Sequence, residues 1–186
     1  MKKISTLFKK DPNDLGRVVN EFNEENLWVF NPGVKITRKW DGTACAIING
    51  ELYKRYDVKK GKVVPENAIP CQEPDEITGH WPHWIKCDRL DNGSKWHFEA
   101  FDYAPGLHDG TYELCGPKIQ GNPEKLSNHY LIAHGKDVIA LSQEAEITFD
   151  RIKLYLENND VEGIVFHEPL TGKMCKIRKS DFGIKR

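Results

Sequence analysis

With 186 residues, a net charge of −1, 30% charged and 39% hydrophobic residues, the chain has the size and composition of one globular domain with a core of its own. No run approaches the ~20 apolar residues that span a bilayer, Met1–Lys10 is basic with no apolar stretch behind it, and the five cysteines include no C-x-x-C pair. These features exclude a membrane-spanning protein and a disulfide scaffold, argue against secretion, and lead to the expectation of a reducing cytoplasm.

Val34–Arg38 alternates in polarity, and Ala44-Cys45-Ala46-Ile47-Ile48 runs apolar into Asn49-Gly50. Asn-Gly is the strongest short hairpin signal, because both residues accept the positive φ of a type I′ turn, so Glu51–Tyr56 is expected as the returning strand. Val64–Pro82, with Pro65, Pro70, Pro74 and Gly79, reads as a long loop. Lys95–Tyr103 carries Trp96, Phe98 and Ala100 on one parity and predicts a strand. Tyr112–Cys115 and His129–Ala133 predict two more. Thr148–Leu156 sets Phe149, Ile152, Tyr155 and Leu156 in a helical stripe, with Thr148 or Ser142 as the cap. Val161–His167 and Met174–Ile177 are expected to close the chain as strands. Many short strands and few helices indicate an antiparallel-rich α+β domain.

Charge is distributed unevenly. Lys54, Arg55, Lys59, Lys60 and Lys62 face one acid, Asp57, within Lys54–Lys62. Lys173, Lys176, Arg178, Lys179, Lys185 and Arg186 face Asp181 alone within Lys173–Arg186, while Glu144–Glu168 is acidic. Each basic run by itself reads as a solvated face. Folded onto one side, the two would make a phosphate-binding surface.

The chain has no G-x-G-x-x-G, Walker P-loop or H-E-x-x-H. Lys39-Trp40-Asp41-Gly42 stands out, between the strand at Val34–Arg38 and the next one. A lysine at a strand end beside a glycine turn is held firmly, and Arg38 directly before it would disfavour its protonated form. That matters because a lysine of ordinary pKa ~10.4 needs about 4.6 kcal/mol to lose its proton at pH 7, and a nucleophilic lysine must have part of that removed by its surroundings.

Further motifs follow in order. Arg55 comes after Lys39-Trp40-Asp41-Gly42, then Tyr112-Glu113-Leu114-Cys115-Gly116, continuing as Pro117-Lys118-Ile119-Gln120-Gly121, then Glu162-Gly163-Ile164-Val165, and finally Lys176-Ile177-Arg178 with Lys179. In this series the sequence resembles the covalent nucleotidyltransferase superfamily of polynucleotide ligases and capping enzymes. The string after Glu113 is most similar to the ATP-dependent RNA ligase branch. The resemblance covers about four-fifths of the chain, Val34–Gly183. It implies an α+β nucleotidyltransferase core, ATP-grasp-like, of antiparallel sheets with flanking helices around a nucleotide cleft. A single domain over residues 1–186 is expected, without an OB-fold domain, because the chain ends ten residues after Lys176.

The resemblance also implies roles. Lys39 would attack the α-phosphate of ATP, expel pyrophosphate and carry AMP as lysyl-AMP. The AMP would pass to a 5′-phosphate RNA end, and a 3′-hydroxyl would displace it to seal the strand. Phosphoryl transfer is chiefly positioning plus charge neutralisation, so Lys176 and Arg178, or Lys179 in place of Arg178, would hold the α-phosphate. Arg55 would contact ribose or the polynucleotide end, and Glu113 would accept ribose hydroxyl protons. Glu162 would hold Mg²⁺ (or Mn²⁺) through water, with Asp41 orienting Lys39 or sharing the metal. Tyr130 and Ile132 are both placed to stack on adenine. RNA ends, or an RNA–DNA duplex, would be the partners.

Three competing expectations remain from the residues. A capping-type guanylyltransferase or a small DNA ligase would use the same motifs, and a catalytically silent polynucleotide-end binding module would keep the fold alone. A zinc site at Cys71, His80, His83 and Cys87 is the rival centre, although Trp81 and Trp84 point to packing there instead.

Overall fold

Short strands dominate the chain. The computed structural model describes residues 4–75, 78–139, 141 and 147–186. In chain order the strands are β1 (Ser5–Thr6), β2 (Phe8–Asp11), β3 (Asp14–Phe22), β4 (Lys35–Lys39), β5 (Thr43–Ile48), β6 (Glu51–Val58), β7 (Ile69–Pro70) and β8 (Trp81–Lys86). Helix α1 (Lys95–Tyr103) follows, then β9 (Gly110–Cys115), β10 (Tyr130–Ala133), α2 (Phe149–Asn158), β11 (Gly163–His167) and β12 (Met174–Arg178). This is a mixed α+β fold of mainly antiparallel sheets with few helices. No helix among the described residues is long and apolar enough to cross a membrane.

The chain folds as two compact units, one holding Asp41–His134 and the other Ile4–Trp40 with Gly135–Arg186. The first unit is built on a six-stranded antiparallel sheet ordered β10-β9-β5-β6-β8-β7. Its centre is the expected hairpin: Asn49 (φ 53°) and Gly50 (φ 74°) both take positive φ, the requirement of a type I′ turn. Asp109 ties the turn down by accepting from the Asn49 and Gly50 backbone N–H groups at 2.6 and 2.9 Å. Alternate residues Cys45, Ile47, Leu52, Tyr112, Leu114 and Leu131 form a core with Ala100 of α1. Period-two side-chain alternation thus assigns one sheet face to packing and leaves the other to Glu113 and its neighbours.

Lys95–Tyr103 corrects the sequence expectation: it is α-helical, not a strand. The segment has no β-branched residue, so its strand preference rests on its aromatic residues alone, and these fit a helix face equally well. His97 and Ala100, three apart, are its buried positions, and that spacing belongs to a helix face. The loop expected over Val64–Pro82 contains β7, and β8 begins within it at Trp81.

The second unit carries a four-stranded sheet ordered β1-β12-β11-β4, with β1 parallel to β12 and the other pairs antiparallel, plus the β2–β3 hairpin. Ile36, Ile164, Phe166, Cys175 and Ile177 pack with Leu7, Phe8, Ile152 and Leu156. Thr148 caps α2, its side chain accepting from the Arg151 N–H at 3.3 Å. Ser142, the alternative cap, lies outside the described residues. The β2–β3 hairpin was not legible because it is a two-stranded ribbon. Only Val18 of β3 is buried, so no alternating pattern is required of it.

Candidate active site

The second unit gathers four of the expected residues. In cross-strand register Gly163 of β11 lies between Lys39 of β4 and Arg178 of β12, and Val165 lies between Thr37 and Lys176. Side chains alternate along each strand, so Lys39, Lys176 and Arg178 share one face of the sheet. The apolar residues Ile36, Ile164, Phe166, Cys175 and Ile177 take the other. Glu162, immediately before β11, forms an ion pair with the Lys39 Nζ, both side chains being about a fifth exposed.

Gly163 is required by this arrangement. A Cβ there would stand 2.3 Å from the Ile177 carbonyl oxygen and 2.9 Å from the Arg178 Cα. The glycine therefore lets β12 close against β11 and brings its cations beside Lys39.

Lys176 is pushed down to about 8, first by burial and then by the neighbouring charges of Lys39 and Arg178, with Glu162 and Asp181 opposing. Arg38, expected from sequence to act on Lys39, sits on the opposite strand parity. Its guanidinium stacks over the Trp40 ring at 3.9 Å and donates to the Asp160 carbonyl at 3.4 Å. The cations that share the face of Lys39 are Lys176 and Arg178. Between the two candidates for the last cation, Arg178 shares the face of Lys176, whereas Lys179 opens a 3₁₀ turn, Lys179–Phe182, and is buried. The Lys179 backbone N–H donates to the Glu162 carbonyl at 2.9 Å.

The first unit holds Asp41, Arg55, Glu113, Tyr130 and Ile132, and the Lys39-Trp40-Asp41-Gly42 motif divides between the units after Trp40. Glu113 is buried. Its Oε1 accepts from the Gly42 N–H at 3.2 Å, and its Oε2 accepts from His134 Nε2 at 2.9 Å. His134 Nδ1 lies 3.0 Å from the Thr111 hydroxyl, so the imidazole is braced on both sides. Gly42 is sterically obligatory: a Cβ would meet the Leu114 carbonyl oxygen at 2.2 Å and the Cys115 Sγ at 2.8 Å. The Asp41 N–H donates to Glu124 Oε1 at 2.9 Å.

Ile132 stands directly opposite Glu113 in register, and Tyr130 two residues away opposes Cys115. Tyr130 makes an edge-on contact with Tyr103 of α1, ring centroids 5.7 Å apart. Arg55 has the sheet parity of Tyr53, whose partner Ala46 also pairs with Thr111, so Arg55 lies on the Glu113 face. Its Nε donates to Asp57 Oδ1 at 3.0 Å, and it lines a cavity of about 170 Å³ with Gln72, Asp75, His80 and Pro82.

The string after Glu113 is anchored by a residue that sequence reasoning overlooked. His129 is buried and stacks on Trp96 at 4.7 Å and 19°. Its Nδ1 meets Glu99 Oε1 at 2.8 Å, and its Nε2 accepts from the Lys118 N–H at 3.3 Å. His134 was likewise missed, since a lone histidine after a strand carries no local signal of the carboxylate it braces.

At the rival centre, His83 is buried with its Nδ1 2.9 Å from the Trp81 carbonyl and its ring edge-on to Trp81. Burial pushes the Cys87 thiol up to about 11. Among the described residues, no group of three or more His, Cys, Asp or Glu side chains is gathered to hold a metal ion. A scan against protein-family models and a search of curated proteins each found no match for this chain.

Proposed function

We propose that this chain is the nucleotidyltransferase core of an ATP-dependent RNA ligase, acting on RNA 3′-hydroxyl and 5′-phosphate ends in the cytoplasm. One observation carries the reading. Lys39 contacts Glu162 on the sheet face that also bears Lys176 and Arg178, although Lys39 stands 123 residues before Glu162 in the sequence. A solvated strand-end lysine would need no such company.

In this reading the neutral Lys39 amine attacks the α-phosphorus of ATP. A nitrogen–phosphorus bond forms, the bond to the bridging oxygen breaks, and pyrophosphate leaves. The displaced amine proton is taken up within the Glu162–Lys176 surroundings. Lys176 lies at about 8, so roughly one-tenth of it is neutral at pH 7 and can share a proton with its neighbours. A 5′-phosphate oxygen then attacks the AMP phosphorus and releases Lys39. Finally a 3′-hydroxyl attacks the activated 5′-phosphate and AMP departs. Lys176 and Arg178 neutralise the phosphate charge that grows in each step.

Glu113 accepts hydrogen bonds from the ribose hydroxyls. Each carboxylate oxygen has two lone pairs, so the donors from Gly42 and His134 leave one for the sugar on each. Ile132, opposite Glu113, is assigned to the adenine, and Arg55 to ribose or the polynucleotide end. Glu162 is a single carboxylate, which suits Mg²⁺ because that ion keeps most of its water and takes its remaining oxygens from phosphates. When bound, the ion would supply neutralisation of phosphate charge.

Intact-protein mass after incubation with ATP and Mg²⁺ tests the reading. The expected result is one AMP added to the wild type and none to Lys39→Ala. No adduct, or an adduct that survives the substitution, would overturn it. Parallel samples with GTP and with nicked DNA or RNA separate the ligase from a capping-type guanylyltransferase or a DNA ligase.

A further inference from the structure

Asp181 is the one carboxylate in the basic run Lys173–Arg186, and it is fully buried. Its Oδ2 accepts from the Arg178 backbone N–H at 2.9 Å and from Arg178 Nε at 3.3 Å. Its Oδ1 accepts from Arg178 Nη2 at 3.0 Å and from Lys10 Nζ at 2.7 Å. Burial works to raise its pKa, but the hydrogen bonds from Arg178 and Lys10 outweigh burial and hold the carboxyl below the ordinary range.

The turn that carries Asp181 is itself anchored. Phe182 packs edge-on to Phe149 at 4.9 Å and to Phe8 at 6.2 Å. Arg17 of β3 donates to the Ser180 carbonyl at 3.4 Å. Capping the turn would need only the bond to the Arg178 N–H. The remaining acceptor capacity is spent on the guanidinium, gripped through two of its nitrogens in the forked geometry that arginine favours.

Lys10 completes the logic. A buried Asp–Arg pair alone would be neutral and would offer little to an anion. With Lys10 on the same carboxylate the trio keeps a net positive charge, beside Lys176 on the same sheet face. We propose that Asp181, with Lys10 as its second counter-cation, is a positioning residue that fixes the Arg178 guanidinium for a phosphate of a nucleoside triphosphate. The inference rests on the reading of this face as a phosphate site.

The sign of one measurement separates positioning from bulk charge. Asp181→Asn adds one positive charge, which by electrostatics alone would tighten anion binding, whereas loss of orientation weakens it. The probe is inorganic tripolyphosphate, titrated calorimetrically against the full chain at fixed salt. The expected result is about tenfold weaker binding in Asp181→Asn and about threefold weaker in Lys10→Met. Both losses should vanish in an Arg178→Met background, because residues that act through a third do not add to its removal. Binding that is unchanged or tighter in Asp181→Asn, losses that persist without Arg178, or a wild type that does not bind tripolyphosphate would each overturn the proposal. Should Asp181→Asn fail to fold, the Lys10→Met and Arg178→Met cycle decides alone. A protein that passes this test but never forms lysyl-AMP keeps the Arg178 assignment and loses the ligase reading.

Discussion

Lys176 shows most directly how a residue's surroundings set its chemistry. It lies among Lys39, Arg178, Glu162 and Asp181, and burial with the two cations brings it down to about 8. Polyphosphate affinity should therefore fall as pH rises through about 8, and Lys176→Met should flatten that dependence in a binding titration. Folding carries the opposite imprint. Between about pH 8 and the ordinary lysine value of ~10.4 the unfolded chain holds more protons at this position than the folded one, so stability rises with pH across the window. Lys176→Met should accordingly be more stable than wild type at pH 7, and the gap should close by pH 10.5 in urea denaturation. A gap that stays constant would show that Lys176 is not strained by its neighbours. The residues of the motifs were legible one by one, but their interactions were not. Arg38, adjacent to Lys39 in sequence, turns to the other sheet face, while Lys176 and Arg178 share the face of Lys39.

At the scale of elements, the β5–β6 hairpin followed from Asn49-Gly50 because the turn chemistry is local and leaves few alternatives. Helix α1 did not follow. Its aromatic residues fit both a period of two and a helical stripe, and only packing against the sheet decides between them. That packing buries His97, whose two ring nitrogens have no hydrogen-bond partner among the described residues. Burial first, and then the charge of Lys54, lower it to about 4, with Asp91 opposing. The unfolded chain binds a proton here between about 6.5 and 4 while the folded chain does not, so stability falls as pH drops through that interval. His97→Phe should remove this acid sensitivity. Thermal melting at pH 7 and pH 4.5 checks it, and an unchanged difference between the two pH values would refute it. The β2–β3 hairpin escaped the sequence for a different reason. A two-stranded ribbon with one buried residue in its longer strand imposes no alternation, yet it supplies Lys10.

For the whole molecule, composition led to the expectation of one domain, and the chain forms two compact units, each with its own hydrophobic cluster. Phe166 is fully enclosed in the second unit's core and Leu114 in the first's. Phe166→Ala should cost about 3–5 kcal/mol and Leu114→Ala about 2–5 kcal/mol, the usual range for emptying a packed site. Denaturant titration measures both, and a loss below ~1 kcal/mol at either position would mean that its core is not closed. Long-range contacts explain the division between what was and was not readable. The amino-acid sequence alone determined the α+β class, the central hairpin, most strand positions and the ordered series from Lys39 to Arg178. These depend on turn chemistry, side-chain alternation and motif spacing, all of which act over a few residues. Tertiary structure alone decided that Gly163 lets Arg178 close beside Lys39, that His134 braces Glu113, and that Lys10 reaches Asp181. Such pairings bring together residues distant along the chain, and nothing local in either partner specifies the other. Register and burial specify them, and both exist only once the sheets have formed.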